Sequence, residues 1–412
     1  MNFEVIKRSH VKRNILIGVV VVLVLSAIIL TFTRAKYRTT KSLPLVNGTI
    51  NYELSDFNLI GAYIQEGDNY IQVNEIPTSG YEFNAEKSYC TVNDENINAT
   101  LNYDMETQSL SVFPLTTKGT KCYLYFDEAS SASDVIEDAY EESQGMLAYD
   151  ETADNNLRYI GANPNNYVYF NCDDYNNPSS STCELWRIIG TFNENSHGIS
   201  GEKLVKLIRN DSIGNLAWDS ANTNNWSTAS LQKTLNGDYL NGKKTYASTG
   251  IKNDTTRNMI ANIIWKLGGH PTHEATSIAF YTSERGTTVY SGRPTTWQGK
   301  VALMYPSDYG YATTGGTATN REVCLATDLN VWAVYSDCYN NSWLYSNIDN
   351  IWTLTPKSSE NDEVFATFTD ALFYYQRANY TNYAIYPSLY LSLEVSITGG
   401  DGTQSNPYTL SN

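Results

Sequence analysis

Glu184-Leu-Trp-Arg-Ile-Ile-Gly190 and Leu204-Val-Lys-Leu-Ile-Arg209 decide how the long C-terminal half of this chain is read. Both runs are short, rich in branched and aromatic residues, and bounded by polar, turn-forming sequence, which marks strands. The Asn-containing loop 193–201 between them predicts an antiparallel hairpin. Upstream, Tyr167-Val-Tyr-Phe170 reads as another strand, followed by a loop of Asn, Asp and Ser between Cys172 and Cys183. Downstream, Ser227 is placed to cap a helix through Leu231 and Leu235 that ends near Gly237. Asp254 or Thr255 is placed to cap a second helix. Its face is Ile260, Ile263, Ile264 and Leu267, at helical spacing, and Gly268-Gly269 would stop it. Residues 270–360 are loop-like apart from the strand signal Lys300-Val-Ala-Leu-Met-Tyr305. A last strand region spans Ala384 to Ile397. Residues 157–412 are therefore expected to form a mixed α+β domain with long loops.

Ahead of this domain the chain changes character twice. Between about 43 and 128 the apolar runs alternate with period two: Tyr70–Val73, Tyr89–Val92, Ala99–Tyr103, Ser109–Phe113 and Lys121–Phe126. Gly, Asn, Asp and Pro punctuate them, which predicts a small β-sandwich. Its bland role is that of a spacer. Residues 129–156 are acidic, from Asp134 to Asp154, and read as an extended linker; Ser133 could alternatively cap a short helix through Ile136 and Tyr140. Asp150, Glu151 and Asp154 are the acids a structural calcium ion could use, but no EF-hand spacing accompanies them.

At the N-terminus, Ile15 to Phe32 is an uncharged apolar run of eighteen residues. At about 1.5 Å per residue it reaches roughly 27 Å, close to the thickness of a hydrocarbon core. It is longer than the apolar part of a cleaved signal, so an uncleaved single-pass anchor is expected, with 1–14 as a cytoplasmic tail. Four basic residues flank it on each side, so charge does not orient it. The cysteines do. Cys90 and Cys122, Cys172 and Cys183, and Cys324 and Cys338 are sequential neighbours outside any CxxC pattern. Six cysteines allow fifteen pairings; nearest-neighbour disulfides are expected, which places residues 42–412 in an oxidising space outside the cell. The formal net charge of −16 excludes nucleic acid as a partner and favours solubility.

Leu185-Trp-Arg-Ile-Ile189, Asn225-Trp-Ser227 with Leu231 and Leu235-Asn-Gly237, Ser342-Trp-Leu-Tyr-Ser346, and Tyr386-Pro-Ser-Leu-Tyr-Leu391 together carry a resemblance. They resemble an uncharacterised family of exported bacterial domains, itself similar to C-type-lectin-like and formylglycine-generating-enzyme-like folds. The resemblance covers about 185–412, including the tail from Thr398. It implies paired terminal strands, two helices and a stabilised loop region, and carries no established activity. Formylglycine-generating enzymes need a reactive cysteine arrangement, whereas all six cysteines here are assigned to disulfides. The Glu-Pro-Asn and Gln-Pro-Asp motifs of calcium-dependent lectins are absent from the expected region.

No catalytic constellation is visible. His270-Pro-Thr-His-Glu274 superficially resembles a metal motif, but Gly268, Gly269 and Pro271 oppose the helix that such a motif needs, so a surface loop is expected. Paired carboxylates of a hydrolase leave no sequence signature. The weak candidates for ligand contact are Trp297, Trp332, Trp343 and Trp352, in the loop-rich half, with the core-filling role weighed above it for Trp343 and Trp352. The expectation is a membrane-anchored bacterial surface protein with an extracellular recognition or adhesion domain for a protein or glycan, without cofactor or metal. The alternatives are an extracellular carboxylate-dependent hydrolase and a structural envelope protein without a small ligand.

Overall fold

The computed structural model describes residues 58–67, 69–77, 81–104, 109–113 and 119–411. The expected anchor, Ile15–Phe32, lies outside them. Among the described residues no helix is long and apolar enough to cross a membrane. The fold is mixed α+β and rich in sheet. It divides into two compact units, one ending at Asp127 and one beginning at Glu128.

The first unit contains β1 (Asn58–Glu66), β2 (Asn69–Val73), β3 (Tyr81–Val92), β4 (Glu95–Ile97), β5 (Thr100–Asp104), β6 (Ser109–Phe113) and β7 (Thr120–Glu128). Five of them form one sheet in the order β2-β1-β7-β3-β4, with β1 and β7 parallel. Strands β5 and β6 form a separate hairpin. The alternation seen in the sequence sorts the faces. Along β7, Cys122, Leu124 and Phe126 are fully buried, while Tyr123, Tyr125 and Asp127 stay partly exposed. Phe126 packs edge-on against Tyr103 of the hairpin at 5.5 Å and against Phe83 at 5.7 Å. The hairpin therefore covers one face of the sheet. The predicted pairing Cys90–Cys122 is present. It joins the adjacent strands β3 and β7 within one sheet, not two opposed sheets as the sandwich expectation had it.

In the second unit the stretch expected as an acidic linker is structure. Helix α1 (Ala132–Asp138) is capped by Ser131, two residues earlier than Ser133, with a reciprocal Ser131–Asp134 capping box. Ile136 is fully buried and the Ala132 amide donates to the Val395 carbonyl at 2.8 Å. Strand β8 (Leu147–Tyr149) then pairs with β9 (Leu157–Tyr159). The acids looked solvated because their partners are remote in sequence: Glu137 bonds Lys203 at 2.6 Å and also accepts from Thr191.

The main sheet adds β10 (Tyr167–Phe170), β11 (Glu184–Phe192) and β12 (Leu204–Arg209). The predicted hairpin is β11 with β12, in antiparallel register from Trp186 opposite Arg209 to Phe192 opposite Leu204. The helix expected across Ile260–Leu267 is absent. A five-residue helix, Asp254–Asn258, is capped by Asn253, and the chain then becomes β13 (Ile263–Lys266), paired with β14 (Thr296–Gly299). Ile263 and Trp265 point inward and Ile264 is exposed, so period two won over the helical spacing that the same isoleucines also satisfy. A helix does form at Ser230–Thr234 and runs past Gly237 as a π turn, Leu235–Tyr239, but Ser227 does not cap it: Ser227 lies in the preceding 3₁₀ turn, Trp226–Thr228, with its hydroxyl on Asn225, and Ala229 holds the cap position. Of the run Lys300–Tyr305 only β15 (Val301–Ala302) is strand, although 301–305 are all buried. A three-stranded sheet follows, β16 (Ile351–Pro356), β17 (Glu363–Thr367) and β18 (Phe373–Arg377). Strand β19 (Ser388–Tyr390) closes the main sheet, ordered β15-β19-β12-β11-β9-β8. The terminal pair is β20 (Ser396–Gly399) and β21 (Thr409–Ser411). Beside it, Tyr408 binds β10 through its backbone: its N–H donates to the Tyr167 carbonyl and its carbonyl accepts from the Tyr169 N–H, each at 2.9 Å. The pairings Cys172–Cys183 and Cys324–Cys338 are both present.

Candidate functional site

Trp332, Trp343 and Trp352 are interior residues. Each indole N–H is spent on a backbone carbonyl: Trp332 on Cys324 at 3.2 Å, Trp343 on Tyr159 at 2.9 Å, Trp352 on Leu216 at 3.1 Å. At 0, 9 and 1 % exposure their rings cannot stack on a sugar. Large apolar rings in a loop-heavy domain are the cheapest way to fill its core. Trp297 alone is half-exposed, edge-on to Trp226. His270 and His273 lie in a loop, His270 bonding the Thr272 carbonyl and His273 packing on Tyr374 at 4.2 Å. Among the described residues no group of His, Cys, Asp or Glu could hold a metal ion. Asp150, considered for calcium, is saturated. Its Oδ1 accepts from the Thr152 N–H and hydroxyl and the Asn156 N–H, and its Oδ2 from Asn156 Nδ2 and Arg158 Nε.

Asp150 belongs to a buried set of charges across the main sheet. Gly190 of β11 is register partner to both Arg158 of β9 and Lys206 of β12. A side chain there would meet the Leu157 carbonyl at 2.0 Å. Its absence lets the flanking strands close while Arg158 and Lys206 both reach Asp308, at 2.8 and 2.6 Å. Asp308 sits in the short helix Pro306–Tyr311 and also accepts the Tyr305 N–H. Nearby, Glu284 takes the Ser307 N–H at 2.9 Å, the Ser307 hydroxyl at 2.5 Å and Arg285 at 3.0 Å. Burial works against the charges on Asp150 and Asp308, but for Asp150 Arg158, and for Asp308 Lys206 and Arg158, hold them below the ordinary carboxylate range. Burial lowers Lys206 to about 8, against the pull of Asp308, and raises Glu284. Lys206 and Glu284 are wholly enclosed, so these shifts belong to a structural network.

One cavity opens beside this network, with a volume of about 480 Å³. Asp150 and Tyr311 form part of its wall, along with Glu151 and, from the helix Arg321–Ala326, Arg321 and Glu322. Cys324 lies on the same helix and ties it to Cys338.

The second surface is the open face of the sheet in the first unit. The register sets Tyr63 opposite Tyr125 and Gly61 opposite Tyr123. Tyr63 stacks on Tyr125 at 4.8 Å and Tyr89 on Tyr123 at 4.9 Å, with Tyr89 also 6.3 Å from Tyr125. Tyr70 meets Tyr125 edge-on at 5.2 Å. A β-carbon on Gly61 would lie 2.9 Å from the Tyr63 ring, so this glycine leaves the ring its place. Polar groups border the rings: Lys87 donates to the Tyr70 hydroxyl at 2.7 Å, and Asn84 and Tyr70 donate to Asp127. All five rings are partly exposed.

The chain matches no family model, no curated protein and no solved structure. The reading of its sites therefore rests on this geometry. The sequence carried one overlooked signal: Tyr123 and Tyr125 alternate with Cys122, Leu124 and Phe126 in a single strand. Arg321 and Tyr311 carried none, because the loop-rich sequence does not disclose that they share a cavity.

Proposed function

We propose that this is a cell-surface recognition protein that binds neutral glycan through the tyrosine face of its first unit. In this reading Ile15–Phe32 anchors it in the membrane and residues 42–412 lie outside the cell. The observation that carries the proposal is the continuous array of Tyr63, Tyr125, Tyr89 and Tyr123 on a partly exposed sheet face. Aromatic rings contact the apolar faces of sugars, and phenol hydroxyls, Asn84 and Lys87 offer hydrogen bonds to sugar hydroxyls. The occupant is neutral because a chain of net charge −16 repels polyanions. Three disulfides support an extracellular site of action. The hydrolase alternative finds no comparable support. The buried carboxylate at the cavity, Asp150, is held ionised by five donors and has no lone pair left for a proton transfer.

The test is a glycan array probed with the full chain in detergent, with and without calcium. Binding to neutral glycans that is indifferent to calcium and lost in the double variant Tyr89→Ser, Tyr125→Ser is expected. Binding that survives in the double variant, or no binding to any neutral glycan, would overturn the reading.

A further inference from the structure

The cavity in the second unit has a charge pattern of its own. Arg321 donates through Nε to the Thr313 carbonyl at 3.1 Å, and its Nη2 is buried with no hydrogen-bond partner. Among the described residues no carboxylate lies within ion-pair distance of its guanidinium. Arg321 is half-buried, and shielding a guanidinium from water without a counter-ion is unfavourable. Burial accordingly works against its charge, with Glu151 the largest opposing influence. Tyr311 is 3 % exposed, its ring is held under Arg158 at 4.9 Å, and its hydroxyl has no hydrogen bond among the described residues. Arg321 and Tyr311 thus line one cavity, Arg321 half-buried and Tyr311 enclosed apart from that wall. The remaining charges there are of opposite sign, Glu151 and Glu322, since Asp150 is already neutralised by Arg158. Glu151 is held at φ +57°, a backbone region that non-glycine residues rarely adopt and that recurs at ligand sites. Ile278 and Leu325 complete the wall with apolar surface.

We infer that this cavity binds a short zwitterionic peptide or amino acid with a small apolar side chain. The carboxylate is taken by Arg321 and the Tyr311 hydroxyl, and the ammonium by Glu151 and Glu322. A planar guanidinium matches a carboxylate with two parallel hydrogen bonds. A simple anion fails here, because the two glutamates outnumber the one arginine. A simple cation fails to satisfy Arg321. Glu151 and Glu322 are exposed and solvated, so the cavity presents one cationic and one anionic side, and a ligand carrying both charges matches the two together. The volume of about 480 Å³ falls in the range of small-molecule sites, about 300–1,000 Å³.

Calorimetric titration of the full chain with L- and D-alanyl dipeptides tests this. The free dipeptide of one hand is expected to bind, and its N-acetyl and C-amide derivatives to bind about tenfold more weakly each, the effect of losing one charge-assisted contact. Arg321→Gln should weaken the free dipeptide by about tenfold or more, and should erase the difference between the acid and the amide. Tyr311→Phe keeps the ring under Arg158 and guards against misfolding; it should weaken binding by about three- to tenfold without a shift in melting temperature. Blocked and free dipeptides binding equally, both variants binding as the wild type, or no dipeptide binding at all would overturn the inference.

Discussion

The two units place their aromatic and charged groups in opposite ways. In the first, tyrosines occupy the outward positions of a sheet whose other face is closed by the β5–β6 hairpin. In the second, seven tryptophans and the ions Asp150, Arg158, Lys206, Glu284 and Asp308 are enclosed. Size accounts for the difference. A five-stranded sheet covered by one hairpin has one interior and must leave a face to solvent, whereas a unit of nearly three hundred residues encloses enough volume to bury rings and to desolvate charges in pairs. Hydroxyl-bearing rings suit a face that is half wet; tryptophan suits a place where its single N–H can be met by a carbonyl.

Substitutions that sharpen this comparison rank by how deeply they cut. Arg158→Met leaves Asp150 and Asp308 with fewer partners inside the second unit, and should cost about 3–5 kcal/mol in urea unfolding. A cost below about 1 kcal/mol would mean that the network is dispensable. Gly190→Ala forces a β-carbon against the Leu157 carbonyl and should cost about 1–3 kcal/mol or more by the same measurement. Lys206 gives a pH signature. Its folded value of about 8 lies below the 10.5 of the unfolded chain, so between those limits the unfolded state holds the extra proton and stability from this group rises with pH. Unfolding midpoints measured across that window should show this slope in the wild type and not in Lys206→Met. On the first unit, Tyr89→Ser should cost less than about 1 kcal/mol, the worth of a cross-strand aromatic pair, while weakening glycan binding. Lys121→Ala, which breaks an exposed pair with Asp94, should leave the melting temperature unchanged.

What could be read from the sequence was what is local. The β11–β12 hairpin and the three disulfides join near neighbours and were legible. The stretch 129–156 was not, because the groups that bury it come from Val395, Lys203 and Asp308, the last linked through Arg158 across 150 positions. Ile260, Ile263, Ile264 and Leu267 fit a helical face, but Ala261, Ile263, Trp265 and Leu267 fit period two, and the pairing of β13 with β14 decides between them. The tyrosine face was half legible. Alternation separates Tyr123 and Tyr125 from Leu124, but only the position of the hairpin tells which side is left open. For the tryptophans ring type alone does not decide the role, since the same ring that stacks on sugar also fills a core.

The second unit begins and ends at one place. The first helical residue, Ala132, donates to Val395, and β10 is fastened to Tyr408 by backbone hydrogen bonds. Its topology is therefore nearly a closed ring, in which the order of the chain matters less than the neighbours it makes. Such a unit can be rewired: a short linker from residue 411 to Ser131, with new ends cut in the turn around Gly242–Lys244, keeps every pairing of the main sheet. It can equally be spliced as a cassette into an exposed turn of an unrelated protein, since host and guest would meet at only two adjacent points.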